Sequence, residues 1–169
     1  ITDNPDEIHD SILPQCADSL FKQAIRYEQH VALAVMDVDF FKSVNDRYGH
    51  QAGDQVLRIF AATLSDAVRS SDVHARVGGE EFAVVLPGLS QEQVAAVAEA
   101  IRLSIESIYL DRIAHGFRVT ISIGCHSAIP EDSDSPEAWL SKADEALYRA
   151  KENGRNRIEC WSVDEAQAE

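Results

Sequence analysis

The sequence contains few cysteines and no long hydrophobic segment. Its three cysteines, Cys16, Cys125 and Cys160, are an odd number without close spacing, which argues against a disulfide framework and a zinc site. No stretch of about 18 apolar residues and no signal-like segment occurs, so neither a membrane span nor export is predicted. We therefore expect a domain of a reducing compartment, the cytoplasm, without direct membrane contact.

Positive charge is also scarce. The chain has 15 lysines and arginines against 29 aspartates and glutamates, a formal net charge of −14. Nucleic acids and acidic membranes are themselves anionic, so binding to either is not expected. The same charge would repel a polyphosphate. A nucleotide ligand should therefore arrive with divalent cations and meet a local cluster of basic residues.

Length and composition indicate one soluble globular domain. At 169 residues, 45% of them hydrophobic, the chain is long enough to bury a substantial core. It begins at Ile1 without a methionine, so we expect a piece of a longer protein with an upstream sensory or regulatory domain, which could include membrane helices. We divide the chain into a linker over residues 1–9, the domain over residues 10–162 and a tail over residues 163–169.

Apolar periodicity and turn signals predict helices that alternate with strands. A hairpin in the middle of this order predicts an α+β fold, with a mostly antiparallel central sheet flanked by helices. Ser90 and Ser135 are the predicted N-caps of the last two helices. The predicted helices cover residues 10–29, 40–48, 54–69, 91–105 and 136–151, with a break at 49–53, and the predicted strands cover residues 31–38, 74–77, 82–86, 117–125 and 157–161.

Two acidic stretches accompany predicted strands. In the hairpin segment Gly78-Gly79-Glu80-Glu81-Phe82, the glycine pair predicts a type I′ turn beside two carboxylates. The second stretch, Asp37-Val38-Asp39, ends an apolar strand. A solvated turn with acidic residues would explain the hairpin alone, whereas carboxylates at two strand ends indicate a site for hard cations. The Asp-x-Asp spacing is not an EF-hand, because the loop lacks the other oxygen ligands and the terminal glutamate.

Together these stretches resemble the GGDEF family of bacterial diguanylate cyclases. The signature hairpin of that family appears here as Gly-Gly-Glu-Glu-Phe, and the Asp37-Val38-Asp39 stretch and the run over residues 45–54 also match, so the resemblance spans most of the chain. It implies a fold similar to the ferredoxin-like palm of nucleotide cyclases and polymerases. In that fold the strand end at Asp37 lies beside the hairpin, at the active site.

By this resemblance, the site holds Mg²⁺ or Mn²⁺ through Asp37, the carbonyl of Val38 and Glu80. Glu81 lies close to the metals and is a candidate to deprotonate the attacking 3′-hydroxyl, although the sequence does not settle the general base. Asp39 has two interpretations, a structural residue or the cap of the helix that follows it. The expected catalytic residues are Glu80, Glu81 and Lys42.

The resemblance also implies that GTP is the substrate. Asn45 and Asp54 would recognise guanine, because a carboxylate accepts hydrogen bonds from N1 and N2 of guanine, whereas adenine has no donor at N1. Without the resemblance, Asp54 would be interpreted as a helix N-cap, Asn45 as a turn former and the last basic residues as partners of a helix C-terminus. The expected phosphate ligands are the amides of Phe40 and Phe41 and the side chains of Lys42, Lys151 and Arg155.

A second ligand site is implied at Arg69 and Asp72. The pair lies upstream of the hairpin at the spacing of the family's inhibitory site for cyclic di-GMP, and arginine can bind guanine through O6 and N7. By itself an Arg-x-x-Asp pair would be a weak salt bridge at a helix end. Many relatives carry a further arginine where this chain has Ala100, with Arg102 nearby. The opening segment, residues 10–17, also departs from the family pattern Asp-x-Leu-Thr-Gly-Leu-x-Asn.

The predicted function is therefore that of a diguanylate cyclase, which condenses two GTP into cyclic di-GMP and two pyrophosphates. One domain holds one GTP, so the 3′-hydroxyl of one GTP must attack a GTP on a facing copy in a two-fold homodimer. Two alternatives stay open. One is a catalytically silent receptor that binds cyclic di-GMP through Arg69 and Asp72, and the other is a regulatory domain that binds GTP without turnover.

Overall fold

The computed structural model describes residues 5–163, except for the side chains of residues 5–12 and 14. Of the expected linker and tail, residues 1–4 and 164–169 lie outside the described residues. Within the described range, none of the helices has the length and apolar character needed to cross a membrane. The elements in chain order are α1 (Pro5–Tyr27), β1 (Val31–Val38), α2 (Phe41–Tyr48), α3 (His50–Ala67), β2 (Val73–Arg76), β3 (Glu81–Pro87), α4 (Gln91–Glu106), β4 (Ile121–Ala128), α5 (Pro136–Glu152) and β5 (Ile158–Cys160).

Strand β1 lies at the centre of a five-stranded sheet with the order β2-β3-β1-β4-β5. It pairs antiparallel with β3 and β4, β2 pairs antiparallel with β3, and β4 and β5 are parallel. Every residue of β1 is buried, which explains why its sequence is a continuous apolar run rather than an alternating one. The predicted α+β fold, a mostly antiparallel sheet flanked by helices with a hairpin within it, is confirmed.

Helices cover both faces of this sheet. On one face Phe60 of α3 and Ile105 of α4 belong to the buried core, and the rings of Phe60 and Phe82 meet edge to face with centroids 4.6 Å apart. On the other face α1 and α5 pack through Phe21 and Trp139, whose ring centroids lie 4.7 Å apart. The two clusters hold β1 between them and so fix the acidic residues at its end.

Two helices begin earlier than predicted, and the predicted caps of two others are present. Helix α1 starts at Pro5 and not at residue 10, because proline is well suited to the first turn of a helix. Helix α3 starts at His50, directly after Gly49 with φ of 89°, so the predicted break at residues 49–53 shrinks to one residue. Ser90 and Ser135 accept hydrogen bonds from backbone amides of α4 and α5, as predicted.

The hairpin loop differs from the prediction. Neither Gly78 nor Gly79 has φ in the left-handed region, so the predicted type I′ turn is wrong. The loop closes instead through the amides of Val77 and Gly78, which both donate to the carbonyl of Glu81, at 2.9 and 3.3 Å. The loop is therefore wider than a two-residue turn, and neither glycine adopts the positive φ that a type I′ turn requires.

Helix α5 lies unusually close to the sheet at Gly124 of β4. A Cβ atom at this position would stand 2.1 Å from the carbonyl oxygen of Ala143 and 2.2 Å from the amide nitrogen of Leu147. Real Cβ atoms do not approach backbone atoms so closely, so only glycine permits this packing. The close approach sets the position of the whole helix, including its last turn.

A buried histidine makes the stability of this fold depend on pH. His126 of β4 is 5% exposed, and its ring lies 4.6 Å from that of Trp139 and 5.2 Å from that of Trp161. Among the described residues neither of its ring nitrogens has a hydrogen-bond partner. Burial, assisted by the positive charge of Lys142 and opposed by Asp134, lowers the pKa of His126 to about 4.

We expect His126 to destabilise the fold as the pH falls from about 6.5 toward 4. In this window the unfolded chain, with an ordinary histidine pKa, binds a proton that the folded chain does not, so stability falls with falling pH. Urea unfolding should show that wild type loses about 2 kcal/mol more than His126→Phe between pH 7.5 and pH 5. His115, which is fully exposed, supplies the control His115→Gln, which should lose as much as wild type. Equal losses in wild type and His126→Phe would contradict this assignment.

Candidate active site

The acidic ends of β1 and β3 lie side by side. The antiparallel register places Asp37 directly opposite Glu81, so their side chains share one face of the sheet. Asp37 is 7% exposed, and its Oδ2 forms an ion pair with Nζ of Lys151 from the last turn of α5. Its other oxygen, Oδ1, is buried and has no hydrogen-bond partner among the described residues.

The buried oxygen of Asp37 needs a partner that the described side chains do not supply. Burial raises the pKa of Asp37, an effect that the Lys151 ammonium opposes and the Asp39 carboxylate reinforces. Leaving one carboxylate oxygen buried and unpaired is costly, and a bound cation is one way in which proteins remove that cost. The orphaned oxygen is therefore the feature of this site that most directly indicates a ligand.

The loop before β3 presents Glu80 and a bare backbone. Glu80 is half-buried and forms no hydrogen bond or ion pair with another described residue. A Cβ at Gly79 would meet nothing within 4 Å, and one at Gly78 would meet only the Cβ of Glu81, at 3.5 Å. The chain itself therefore does not require glycine here. The Arg76 guanidinium donates to the carbonyls of Gly78 and Gly79 at 2.6–3.1 Å and holds the loop.

Asp144 of α5 is a site residue that sequence reasoning missed. Burial, the adjacent carboxylate of Asp144 and the charge of Asp37 together raise the pKa of Glu81 to about 7, while Lys151 opposes the rise. Burial likewise raises the pKa of Asp144. The signal was present in the sequence, because Asp144 and Lys151 are seven residues apart and so lie on one face of their helix.

Asp39 is a structural residue. Its Oδ1 accepts from the Ser122 hydroxyl at 2.6 Å, and its Oδ2 accepts from the Thr120 hydroxyl at 2.7 Å and from the Asn156 amide at 2.9 Å. The alternative role as a helix cap is wrong, because the N-cap residue of α2 is Phe40 and, among the described residues, no side chain caps that helix. Asp39 therefore ties the end of β1 to β4 and to the turn after α5.

The expected phosphate-binding residues gather around the start of α2 and the end of α5. Phe40 has φ of 55° and is 63% exposed, and the Arg155 guanidinium lies 4.7 Å from the centroid of its ring. Phe41 opens α2, and Lys42 beside it is exposed and has no ion pair with a described residue. With Lys151 they form the local positive cluster that a polyphosphate needs on an acidic protein.

The expected guanine-binding residues lie where α2 meets α3. The side chain of Asn45 lies so close to Gly53 that a Cβ there would stand 1.9 Å from Asn45 Oδ1. That oxygen is buried and has no hydrogen-bond partner among residues 5–163. Asp54 is exposed and lies inside α3, so its interpretation as an N-cap is wrong.

The described residues fit a hard divalent cation in part. Asp37 and Glu80 offer carboxylate oxygens, which are the ligands that Mg²⁺ and Mn²⁺ prefer. Among residues 5–163, however, no three His, Cys, Asp or Glu side chains gather into a metal-binding group. The described residues alone therefore do not complete a coordination shell, and a divalent cation bound here would need further oxygen ligands from a bound molecule.

Arg69 and Asp72 form a closed pair after α3. Nε and Nη2 of Arg69 donate to the Asp72 carboxylate at 2.7–3.1 Å, and Nη2 also donates to the carbonyl of Pro87 at 2.8 Å. The Asp72 side chain is 1% exposed, whereas that of Arg69 is 48% exposed. Arg102, the basic residue nearest to Ala100, donates to Glu99, Glu106 and Asn156.

Comparison with known proteins gives consistent matches. The sequence model of the family described as "Diguanylate cyclase, GGDEF domain" matches residues 11–157. The response regulator PleD of Caulobacter vibrioides is 44% identical over 144 residues, which are 83% of this chain and 31% of PleD. The chain spans about a third of the length of the curated relatives it matches.

Solved structures also match this chain over most of its length. The GGDEF domain of DgcB from Caulobacter crescentus, solved in complex with c-di-GMP, superposes with a TM-score of 0.83 at 32% identity and covers 89% of both chains. The active GGEEF domain of a diguanylate cyclase from Vibrio cholerae gives a TM-score of 0.77 at 31% identity, over 85% of this chain and 90% of that one.

Proposed function

This chain belongs to the GGDEF family, and we propose that it is a diguanylate cyclase, which condenses two GTP into cyclic di-GMP with release of two pyrophosphates. One observation carries the proposal. Asp37, at the end of the central strand, has a buried carboxylate oxygen without a hydrogen-bond partner among residues 5–163, and it lies beside a hairpin loop whose glycines the described fold does not require. Both features are expected where a metal-bound phosphate approaches the backbone.

The proposed metal ligands are Asp37, the carbonyl of Val38 and Glu80, as the family resemblance implies. When bound, Mg²⁺ or Mn²⁺ would neutralise phosphate charge and stabilise the charge that develops as the α-phosphate is attacked. Lys151 pairs with Asp37, and we propose that it also binds a phosphate oxygen when the nucleotide is present. Lys42, Arg155 and the amides at the start of α2 would bind the remaining phosphate oxygens.

Glu81 is the carboxylate that we assign to the 3′-hydroxyl proton. It lies opposite Asp37 in the register and next to Glu80 in sequence, so it borders the proposed metal site without being needed as a ligand. Because one chain presents one such site, the attacking hydroxyl belongs to the GTP of a second copy in a two-fold arrangement. The initial rate of pyrophosphate release per chain should therefore rise with chain concentration, whereas a constant rate per chain would contradict the two-copy reaction.

Guanine selection is proposed for Asn45 and Asp54. Both lie at the junction of α2 and α3, and the buried Oδ1 of Asn45 is available to a ligand donor. A carboxylate at position 54 pairs with guanine N1 and N2 but finds no matching donor on adenine N1. Incubation with ATP in place of GTP should give no cyclic dinucleotide, and equal turnover of both nucleotides would refute this assignment.

The substitution Gly53→Ala tests the position of Asn45. Alanine normally stabilises a helix relative to glycine by about 1 kcal/mol, but here the new methyl group would collide with Asn45 Oδ1. We expect Asn45 to move and the GTP Kd to rise about tenfold. The free energy of unfolding should not show the increase that alanine normally gives in a helix. Calorimetric titration with GTP measures this. Gln51→Ala, on an exposed position of the same helix, should leave the Kd unchanged. An unchanged Kd in Gly53→Ala would remove Asn45 from the guanine site.

Product binding is proposed at Arg69 and Asp72. The DgcB domain was solved with c-di-GMP, and the half-exposed Arg69 guanidinium is held in place by Asp72 and by the carbonyl of Pro87. A fixed arginine is suited to bidentate contact with guanine.

We further propose that the domain works in the cytoplasm under the control of an upstream sensory or regulatory domain, which would bring two copies together.

A further inference from the structure

The turn between α5 and β5 places Arg155 in a strained conformation. Gly154, Arg155 and Asn156 have consecutive φ values of 118°, 63° and 46°. Residues other than glycine seldom adopt positive φ, and such strain persists only where surrounding contacts impose it. In this conformation the Arg155 guanidinium lies over the ring of Phe40, at the start of α2. The contacts that impose the conformation therefore also decide where the guanidinium lies.

Two sets of contacts hold the turn. The Arg155 N–H donates to the carbonyl of Ala150 in α5 at 2.9 Å, and Asn156 supplies the contacts to the rest of the fold. Its backbone N–H donates to Asp39 Oδ2 at 2.9 Å, its Nδ2 donates to Glu106 Oε2 at 2.6 Å, and its Oδ1 accepts from Arg102 Nη1 at 2.7 Å. One residue is thus bound to the end of β1 and to α4 at the same time. Asparagine is also among the residues that tolerate positive φ best.

Arg102 of α4 binds the Asn156 side chain and is itself held by two glutamates of the same helix. Its Nε and Nη2 form a fork with the two carboxylate oxygens of Glu99, at 2.9 and 2.6 Å, and its Nη1 also donates to Glu106 at 2.8 Å. The Arg102 side chain is only 12% exposed, whereas the side chains of Glu99 and Glu106 are 42% and 38% exposed, so the guanidinium is covered while its partners border water. Ile101 and Ile105 of the same helix are buried in the core, so the helix that carries Arg102 is packed firmly against the sheet.

We propose that Arg102 and Asn156 are positioning residues for the nucleotide phosphates. Together they hold the turn after α5 so that the Arg155 guanidinium stays over Phe40, where a polyphosphate beside the start of α2 would meet it. The inference rests on the proposed function, because Arg155 has a phosphate to bind only if GTP is the substrate. A guanidinium held in advance loses less side-chain entropy when the ligand binds, so the network should increase affinity without touching the ligand.

Three variants test whether the hydrogen bonds of Arg102 and Asn156, and not a general change to α4, hold the turn after α5. Arg102→Met removes the donors but keeps an unbranched side chain of similar length. Asn156→Gly keeps the backbone N–H and accepts positive φ without strain, so it removes only the two side-chain bonds. Glu92→Gln is the matched control, because it neutralises a carboxylate at an exposed position of the same helix to which neither Arg102 nor Asn156 is hydrogen-bonded.

A double-mutant cycle on GTP affinity tests the positioning role. The Kd for GTP with Mg²⁺ is measured by calorimetry, at chain concentrations where no pyrophosphate is released. We expect Arg102→Met and Asn156→Gly each to raise the Kd about fivefold. Arg155→Ala should raise it at least as much, and adding Arg102→Met to Arg155→Ala should then have no further effect, because nothing is left to position. Additive effects in the cycle would overturn the inference.

Hydrogen–deuterium exchange without nucleotide provides a second readout. The amides of residues 154–157 should exchange faster in Arg102→Met and in Asn156→Gly than in wild type, and at the wild-type rate in Glu92→Gln. Unchanged exchange in the first two variants would also overturn the inference. Failure of the wild-type chain to bind GTP at all would instead contradict the proposed function, so the two failures are distinguishable.

Discussion

Replacing Asp37 with asparagine is expected to lower the rate of cyclic di-GMP formation about a thousandfold or more. Asparagine keeps the shape of the side chain but removes the negative charge that we assign to the metal. The fold should tolerate the change for two reasons. The substitution removes a buried charge whose Oδ1 has no hydrogen-bond partner in the described part of the chain, and Lys151, its ion-pair partner, is 33% exposed to water. Urea unfolding should place Asp37→Asn within about 1 kcal/mol of wild type.

Asp39→Asn is the matched control two residues away. The two oxygens of Asp39 accept hydrogen bonds from Ser122, Thr120 and Asn156. In Asp39→Asn an NH2 group replaces one of these acceptor oxygens and faces a group that is itself a donor. We expect a loss of about 2–3 kcal/mol in the free energy of unfolding. The pair of variants thus separates a ligand-binding carboxylate from a structural one. Full activity in Asp37→Asn, or a stability loss larger than that of Asp39→Asn, would contradict the assignment.

Gly124→Ala is expected to have the largest effect on stability. The new methyl group would occupy space 2.1 Å from the carbonyl oxygen of Ala143 and 2.2 Å from the amide of Leu147, both on the backbone of α5. Backbone cannot move aside as a flexible side chain can, so the helix must shift as a whole. We expect a loss of about 3 kcal/mol or more in unfolding free energy. Where the variant still folds, Lys151 should move away from Asp37.

Gly79→Ala is the control for Gly124→Ala. A Cβ at Gly79 meets nothing within 4 Å and its φ is not in the left-handed region, so stability should change by less than about 0.5 kcal/mol. Activity should nevertheless fall, because we infer that a phosphate approaches the loop backbone closely. Thermal or urea unfolding, together with product formation, measures both effects. Equal stability of Gly124→Ala and Gly79→Ala would contradict the close approach of the α5 backbone to Gly124.

The sequence predicted the parts of the fold that depend on local pattern. Strand β1 has the predicted bounds, residues 31–38, because an unbroken apolar run over residues 31–36 leads into the acidic stretch Asp37-Val38-Asp39. The caps at Ser90 and Ser135 followed from side chains that satisfy backbone amides within one turn. The hairpin was also predicted, although its turn type was wrong, because a glycine pair permits a type I′ turn without requiring one.

The remaining features of the candidate site depend on tertiary placement. Only the register of β1 and β3 places Glu81 opposite Asp37, and only the close packing of α5 brings Asp144 to Glu81. The network from Arg102 to Asp39 joins residues far apart in the chain. The seven-residue spacing places Asp144 on the same helix face as Lys151, but no periodicity within one element predicts which residues of other elements that face meets. The sequence therefore indicates the chemical groups of the site but not how they support one another.

The most direct test of a diguanylate cyclase is chromatographic detection of cyclic di-GMP. The chain is fused to a parallel coiled coil, which raises the effective concentration of the second copy, and is incubated with GTP and Mg²⁺ beside an identical fusion that carries Glu80→Ala. We expect cyclic di-GMP from the parent fusion and none from Glu80→Ala. No product from the parent fusion at high protein concentration would contradict the enzyme, and equal product from both fusions would contradict the metal-binding role of the hairpin.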